Sequence, residues 1–223
     1  MNSKFWQSLW QNKRIGFNQS ITNSLLTTYF SALPVPVGGR VFVPLCGKSI
    51  DMRWLAEQGY DVVGVELVES AVQEFFAEQN ITPIMTQHPD HPNIKGYQGQ
   101  LHHQTTQQTL TLWVGDIFAL TATDIGHVDA IYDRAALIAL PSDMRPKYSE
   151  HVRRLSHNAP QLLLTLSYNE GEWTGPPFSV SCEQVQQYYS AHYSITELQG
   201  SPSTFNAYPD RVVMEYVWLL EQK

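Results

Sequence analysis

From Arg40 onward, short runs that are apolar throughout alternate with runs that are apolar on one side only, and this alternation constrains the fold most. Residues 41–43, 62–66, 110–114, 128–132 and 162–168 read as strands. Between them, 50–58, 70–79 and 142–157 carry apolar residues at helical spacing, and Gly59 stands where a helix C-cap belongs. A strand apolar on both faces must be covered on both faces, so this alternation implies a mostly parallel sheet with helices on each side. A helix over 181–192 follows, opening with Ser181 and Glu183 in its first turn, and then two strands, 193–198 and 212–220, with no helix between them. They predict an antiparallel edge. The expected class is α/β: a doubly wound, Rossmann-like, seven-stranded sheet.

Before the first strand, Phe5 and Leu9, and Trp6 and Trp10, fall at i,i+4 spacing, which predicts a short amphipathic helix. A second helix is expected over 20–30, and Pro34, Pro36, Gly38 and Gly39 break the chain behind it. Residues 1–37 thus form a helical segment outside the sheet, either a lid or an end helix anchored by its tryptophans. Residues 83–109 are polar, rich in Gln, His and Pro, and read as an irregular insertion or β-excursion outside the core. No repeat or second apolar cluster divides the chain, so 1–223 is expected to be one domain.

Composition removes several partners. Fourteen Lys and Arg against 21 acids give a net charge of −7, which lacks the basic footprint of a nucleic-acid binder. No apolar run approaches the ~18 residues of a membrane span. The first eight residues are too polar and aromatic for a signal peptide, and Cys46 and Cys182 make no disulfide framework. A cytoplasmic protein is expected, and a monomer.

In an open α/β sheet the ligand lies beyond the carboxyl ends of the strands. Those ends carry Leu45-Cys46-Gly47, then Glu66, Asp116, and Asp133-Arg134. Glu66 follows Gly47 by 19 residues, the spacing at which a strand-end acid accepts both hydroxyls of a ribose. The plainer alternative is a solvated carboxylate. Either way, Glu66→Ala is expected to leave folding nearly unchanged. Gly47-Lys48-Ser49 imitates a phosphate loop, but the glycine required five positions before Gly47 is Phe42, and the dinucleotide fingerprint is missing. A cofactor with a nucleoside and no phosphates fits better, and S-adenosyl-L-methionine is one. Cys46 has no His or Asn partner in local sequence and reads as a small buried residue. His88, His91, His102 and His103 form no compact ligand set, so no metal is expected.

The stretch 41–55, Val-Phe-Val-Pro-Leu-Cys-Gly-Lys-Ser-Ile-Asp-Met-Arg-Trp-Leu, and 59–66, Gly-Tyr-Asp-Val-Val-Gly-Val-Glu, resemble the thiopurine S-methyltransferase family, in its bacterial branch. Similar matches run through 5–17, 115–120, 131–141, 176–178 and 215–220, nearly the whole chain. The resemblance implies a class I methyltransferase fold with S-adenosyl-L-methionine as donor. By that resemblance Trp10, Leu45, Gly47 and Glu66 would hold the cofactor, Asp116 and Ile117 would border its adenine, and Arg134 would line the junction of cofactor and acceptor. Phe17, Pro177 and Phe178 would face the acceptor together with Arg134. Asn18 stands where a His is common, and 86–107 is longer than typical. Arg211 is the nearest counterpart of an arginine near the last strand.

The implied activity is methyl transfer to the sulfur of small aromatic or heterocyclic thiols such as thiopurines, with selenium or tellurium detoxification as a possible context. A halide or small-thiol methyltransferase of the same fold, and a non-catalytic S-adenosyl-L-methionine-binding regulator, are the competing readings. Such acceptors ionise readily, so no catalytic base is assigned. Arg134 could instead be a surface partner of Asp133.

Overall fold

The computed structural model describes residues 3–103, 106–169, 171, 175–205 and 208–223, with only the backbone of 103, 106, 204, 205 and 208–212. Its centre is five parallel strands, β1 (Arg40–Pro44), β2 (Asp61–Glu66), β5 (Thr106–Val114), β6 (Ala130–Asp133) and β7 (Gln161–Ser167). β3 (Ile84–Gln87) and β4 (Lys95–His103) add an antiparallel hairpin beside β5. β8 (Tyr193–Phe205) and β9 (Tyr208–Gln222) add a second antiparallel pair beside β7. The described strands run in the order β3-β4-β5-β2-β1-β6-β7-β9-β8.

Among the described residues the sheet has nine strands, where seven are expected from the sequence, and the difference lies in 83–109. Of the two readings of that stretch, the β-excursion is the one its described residues form. Tyr97, Gly99 and Leu101 are buried while Gln98, Gln100 and His102 are exposed, the period of two that a half-covered strand requires. Gly99 is needed there: a Cβ would sit 2.5 Å from Ile81 Cγ2 and 2.7 Å from Phe76 Cε1.

Successive side chains of the central strands point to opposite faces and seed two cores. Val41, Val43 and Val62 join Leu26 and Phe30 from the region of α2 (Ser24–Tyr29), Met52 and Leu55 of α3 (Asp51–Glu57), and Val72, Phe75 and Phe76 of α4 (Glu69–Glu78). Phe42, Val63, Val65, Ile131 and Leu163 face the other way, against Ile125 of α5 (Ala122–Ile125), Tyr148, Val152 and Leu155 of α6 (Arg145–Leu155), and Val185 and Tyr189 of α7 (Cys182–Tyr189). α7 opens with a capping box, in which Ser181 Oγ accepts from the Gln184 amide and the Gln184 side chain accepts from the Ser181 amide. α1 (Ser3–Gln11) belongs to neither core. Its buried residue Trp10 packs with Val68 and Ala71 in a third, smaller cluster.

The order of strands reverses between β1 and β6: the chain leaves β1 toward β2 and β5 on one side, and later fills β6 and β7 on the other. Helices depart to opposite faces at that point and leave a crevice beyond the carboxyl ends.

Candidate active site

A cavity of about 870 Å³ occupies this crevice. Two non-glycine residues adopt left-handed backbone on its rim: Leu45 after β1, at φ +46°, and Ala135 after β6, at φ +60°. Side chains disfavour that region by about 1–2 kcal/mol, and such strain concentrates at functional sites. Gly47 also has φ +54°, and its missing side chain leaves room for the Trp10 ring, which would stand 3.3 Å from a Cβ.

Glu66 ends β2 and is only 7% exposed. One carboxylate oxygen accepts the Gly47 amide at 2.9 Å, the other the Val68 amide at 2.8 Å. It thereby ties the loop after β1 to the loop after β2. Burial raises its pKa, and the backbone donors act in the opposite direction. The Leu67 amide also acts on the carboxylate, whose two oxygens still have lone-pair capacity for a ligand on the cavity wall.

Arg134 follows β6. Its partner is Asp51 at 3.5 Å, not the adjacent Asp133, and its Nη2 also donates to the Phe17 carbonyl at 3.3 Å. Asp51, 1% exposed, further accepts the Tyr132 hydroxyl at 3.0 Å and the Asn23 amide at 2.8 Å. Asp133 turns into the core instead, accepting the Tyr148 hydroxyl at 2.7 Å. The guanidinium thus lines the cavity with its orientation set from behind.

Trp6, Trp10 and Phe17 form an edge-to-face aromatic group over the cavity, with ring centroids 5.9 Å (Trp6–Phe17) and 5.7 Å (Trp10–Phe17) apart. In the segment behind α1, Lys13 meets Glu74 of α4 at 2.7 Å.

Of the residues singled out from the sequence, Trp10, Phe17, Leu45, Gly47, Glu66, Arg134 and Pro177 line this one cavity, and Asn18 does too. Asp116, Ile117 and Phe178 do not. Ile117 is 1% exposed inside the core, and Asp116 accepts the Phe118 amide at 3.1 Å. The Phe178 ring packs back on Gly175 and lies 5.9 Å from the Arg145 guanidinium. The Arg211 side chain lies outside the described residues.

The phosphate-loop imitation is disarmed by its neighbours. Lys48 Nζ is held by Glu74 at 2.8 Å and Glu78 at 2.6 Å. Cys46 is buried, and desolvation together with Glu66 pushes its thiol well above the ordinary value, so it is held protonated. Buried His88 has both ring nitrogens occupied: Nε2 meets Asp124 at 2.8 Å, and Nδ1 accepts the amides of Asp90 and His91. Among the described residues no group of three or more His, Cys, Asp or Glu could hold a metal.

Two residues that matter to the cavity escaped the sequence reading. Asp51 does not itself line the cavity but orients Arg134, and Glu215 of β9 lines it, with Ser203 of β8 beside it. The available signal for Glu215 is a lone acid inside the otherwise uncharged run 212–220.

The family model for thiopurine S-methyltransferase matches residues 1–222. A thiopurine S-methyltransferase of Psychrobacter cryohalolentis is 62% identical over 222 residues, covering all of both chains. One of Xanthobacter autotrophicus is 42% identical over 223 residues, again covering all of both. Among solved structures, an S-adenosylmethionine-dependent methyltransferase of Anabaena variabilis superimposes with a TM-score of 0.64 at 12% identity, over 100% of this chain and 96% of that one. A Burkholderia thailandensis didemethyltoxoflavin N-methyltransferase, solved with S-adenosylhomocysteine, gives 0.63 at 12% identity over 99% and 87%. The structural likeness makes the fold that of class I methyltransferases, and the sequence matches along the whole chain place it, as a member, in the thiopurine S-methyltransferase family.

Proposed function

We propose that this chain moves a methyl group from S-adenosyl-L-methionine to the sulfur of small aromatic or heterocyclic thiols, thiopurines among them. The observation that carries the reading is the continuous cavity from Glu66 to Arg134 under the Trp6–Trp10–Phe17 group. It has a buried ribose-type acid at one end, and its lysine is unavailable to a phosphate. When bound, the cofactor supplies an electrophilic methyl on a sulfonium.

The chain's own part follows from charge and water. Glu66 accepts the ribose hydroxyls with its remaining lone pairs, while Leu45, Gly47 and Trp10 wall the nucleoside. Asp116 and Ile117 follow β5, next to β2, so the adenine would reach toward them past Leu67. Positive donor and anionic acceptor neutralise each other in the transition state, so a dry cavity favours reaction. Trp6, Trp10 and Phe17 exclude water and present aromatic faces that tolerate a sulfonium. Arg134, aimed by Asp51 and the Phe17 carbonyl, steadies the anionic sulfur. Phe17 and Pro177 border the acceptor, and Phe178 supports the Pro177 loop from behind. Softer selenium and tellurium anions suit the same displacement, which would make detoxification the physiological context. Two free cysteines, and the lack among the described residues of any helix long and apolar enough to cross a membrane, support a cytoplasmic enzyme. We take it to work as a monomer.

The test is transfer of labelled methyl from the cofactor to a mercaptopurine, a thiophenol and iodide in parallel. Label on the thiols and little on iodide is expected. Preference for iodide would make it a halide methyltransferase, and tight S-adenosylhomocysteine binding with no transfer to any acceptor would make it a regulator.

A further inference from the structure

Across the sheet edge, β2, β1, β6, β7 and β9 stand side by side. At about 4.8 Å per strand, β2, which carries Glu66, and β9, which carries Glu215, are four spacings, roughly 19 Å, apart. Arg134 follows β6 and Glu215 lies on β9, strands two spacings or roughly 10 Å apart, so both face the same end of the cavity. Glu215 pairs with Leu166 on β7 and Ser201 on β8, and it lines the cavity with Leu166 and Ser203.

Among the described residues, the charged groups on the cavity wall are Arg14, Lys48, Glu66, Arg134 and Glu215. Glu66 is held by backbone amides and is assigned to the ribose in the function proposed above, and Lys48 is held by two acids. Cys46 is a protonated thiol. Glu215 meets the Ser203 hydroxyl and feels Arg134 through space, and burial nevertheless raises its pKa above the ordinary carboxylate value. A half-buried carboxylate at the acceptor end of a methyl-transfer cavity has a specific use, because thiopurines and similar heterocycles carry their acidic proton on ring nitrogen in the thione form. Arg134 alone cannot take that proton, since a guanidinium is already fully protonated.

Resting on the function proposed above, we propose that Glu215 is the proton acceptor for heterocyclic substrates that enter as thiones with a ring N–H. The N–H bond breaks toward a Glu215 oxygen, and its electron pair becomes ring C=N. The C=S π pair moves onto sulfur, which bonds the methyl carbon as that carbon's bond to the sulfonium sulfur breaks. The proton rests on the carboxyl and leaves to water after product release. An arylthiol without a ring N–H needs none of this, so Glu215 also sorts acceptors by class.

The experiment compares wild type with Glu215→Gln, which preserves shape and the oxygen facing Ser203, on a mercaptopurine and on a nitrothiophenol that is ionised at neutral pH. A general base typically contributes at least about 100-fold, so kcat on the mercaptopurine should fall by about that factor, and by at least about 30-fold more than on the nitrothiophenol. In wild type the mercaptopurine rate should fall toward acid pH, with a limb absent from the variant. Unchanged S-adenosylhomocysteine affinity verifies the variant's fold. Equal losses on both acceptors, an unchanged mercaptopurine rate, or a loss confined to KM would overturn the assignment of Glu215 while leaving the methyltransferase reading intact. A wild type that methylates neither acceptor would overturn both.

Discussion

Glu66 shows how a single side chain serves binding and folding together. The hydrogen bonds from Gly47 and Val68 make it a strap between two loops, so the expectation that Glu66→Ala leaves folding unchanged does not survive the structure. Removing the carboxylate strands two buried amides, and the substitution should lower stability by about 1–3 kcal/mol per amide left without a partner. It should also weaken S-adenosylhomocysteine binding by about 1.5–3 kcal/mol, the range for hydrogen bonds to a charged group. Denaturant titration and calorimetry read the two separately, and an intact affinity would remove Glu66 from the site. Asp133 carries a different consequence. Fully buried, its carboxyl is pushed up to about 6, desolvation outweighing its bonds from Tyr148 and Leu137. The folded state therefore holds a proton that the unfolded chain releases near pH 4, and stability falls as pH rises through that window. The stability of wild type relative to Asp133→Asn should drop by about 3 kcal/mol between pH 3.5 and 7, as measured by denaturant unfolding. A pH-independent difference would mean that Asp133 titrates in the folded protein where it does in the unfolded chain, and a rise with pH would mean that it is ionised throughout.

At the scale of elements, α1 stands apart from both main cores and touches the body through Trp10, Val68 and Ala71 and the Lys13–Glu74 pair. That pair is exposed on the lysine side and adds little. Deleting residues 1–17 should accordingly leave a folded chain with weak cofactor affinity and almost no turnover. Amide exchange over 5–17 should slow when S-adenosylhomocysteine is added, because the ligand completes the surface on which Trp10 rests. Equal protection with and without it would make α1 a permanent wall rather than a lid. The β3–β4 hairpin poses the opposite case, an apparent insertion that shares the core. Gly99→Ala places a methyl against Ile81 and Phe76 and should cost about 1–3 kcal/mol in unfolding free energy. A neutral result would show that this edge yields without resistance.

For the whole molecule, the cavity joins the reversal of strand order, the strap at Glu66 and the aromatic roof, so a ligand there touches groups from both ends of the chain. Binding that selects the folded state stabilises it by about 2.7 kcal/mol at a hundredfold excess over Kd. For a chain of this size that raises Tm by roughly 5–10 °C. S-adenosylhomocysteine should produce this shift in the full chain and a much smaller one after deletion of 1–17. Equal shifts would place the ligand away from α1.

Much of this was legible before any fold was drawn, because it depends on neighbours in sequence. Apolar runs and their spacing indicated the central strands and helices, and strand ends picked out Gly47, Glu66 and Arg134, which line the cavity, together with Asp116 and Asp133, which do not. The hairpin was legible too, in the alternation of Tyr97, Gly99 and Leu101 with Gln98, Gln100 and His102, but glycines and flanking polar residues obscured it. Partners distant in sequence were not. Asp51 and Arg134 meet because β6 lies beside β1, Lys48 finds Glu74 and Glu78 because α4 packs across from its loop, and Glu215 reaches the cavity because β9 runs antiparallel beside β7. A side chain's own sequence sets its chemistry and its local backbone. Which charge it meets, and whether water reaches it, is settled only by the strand order that brings remote segments within a few ångströms.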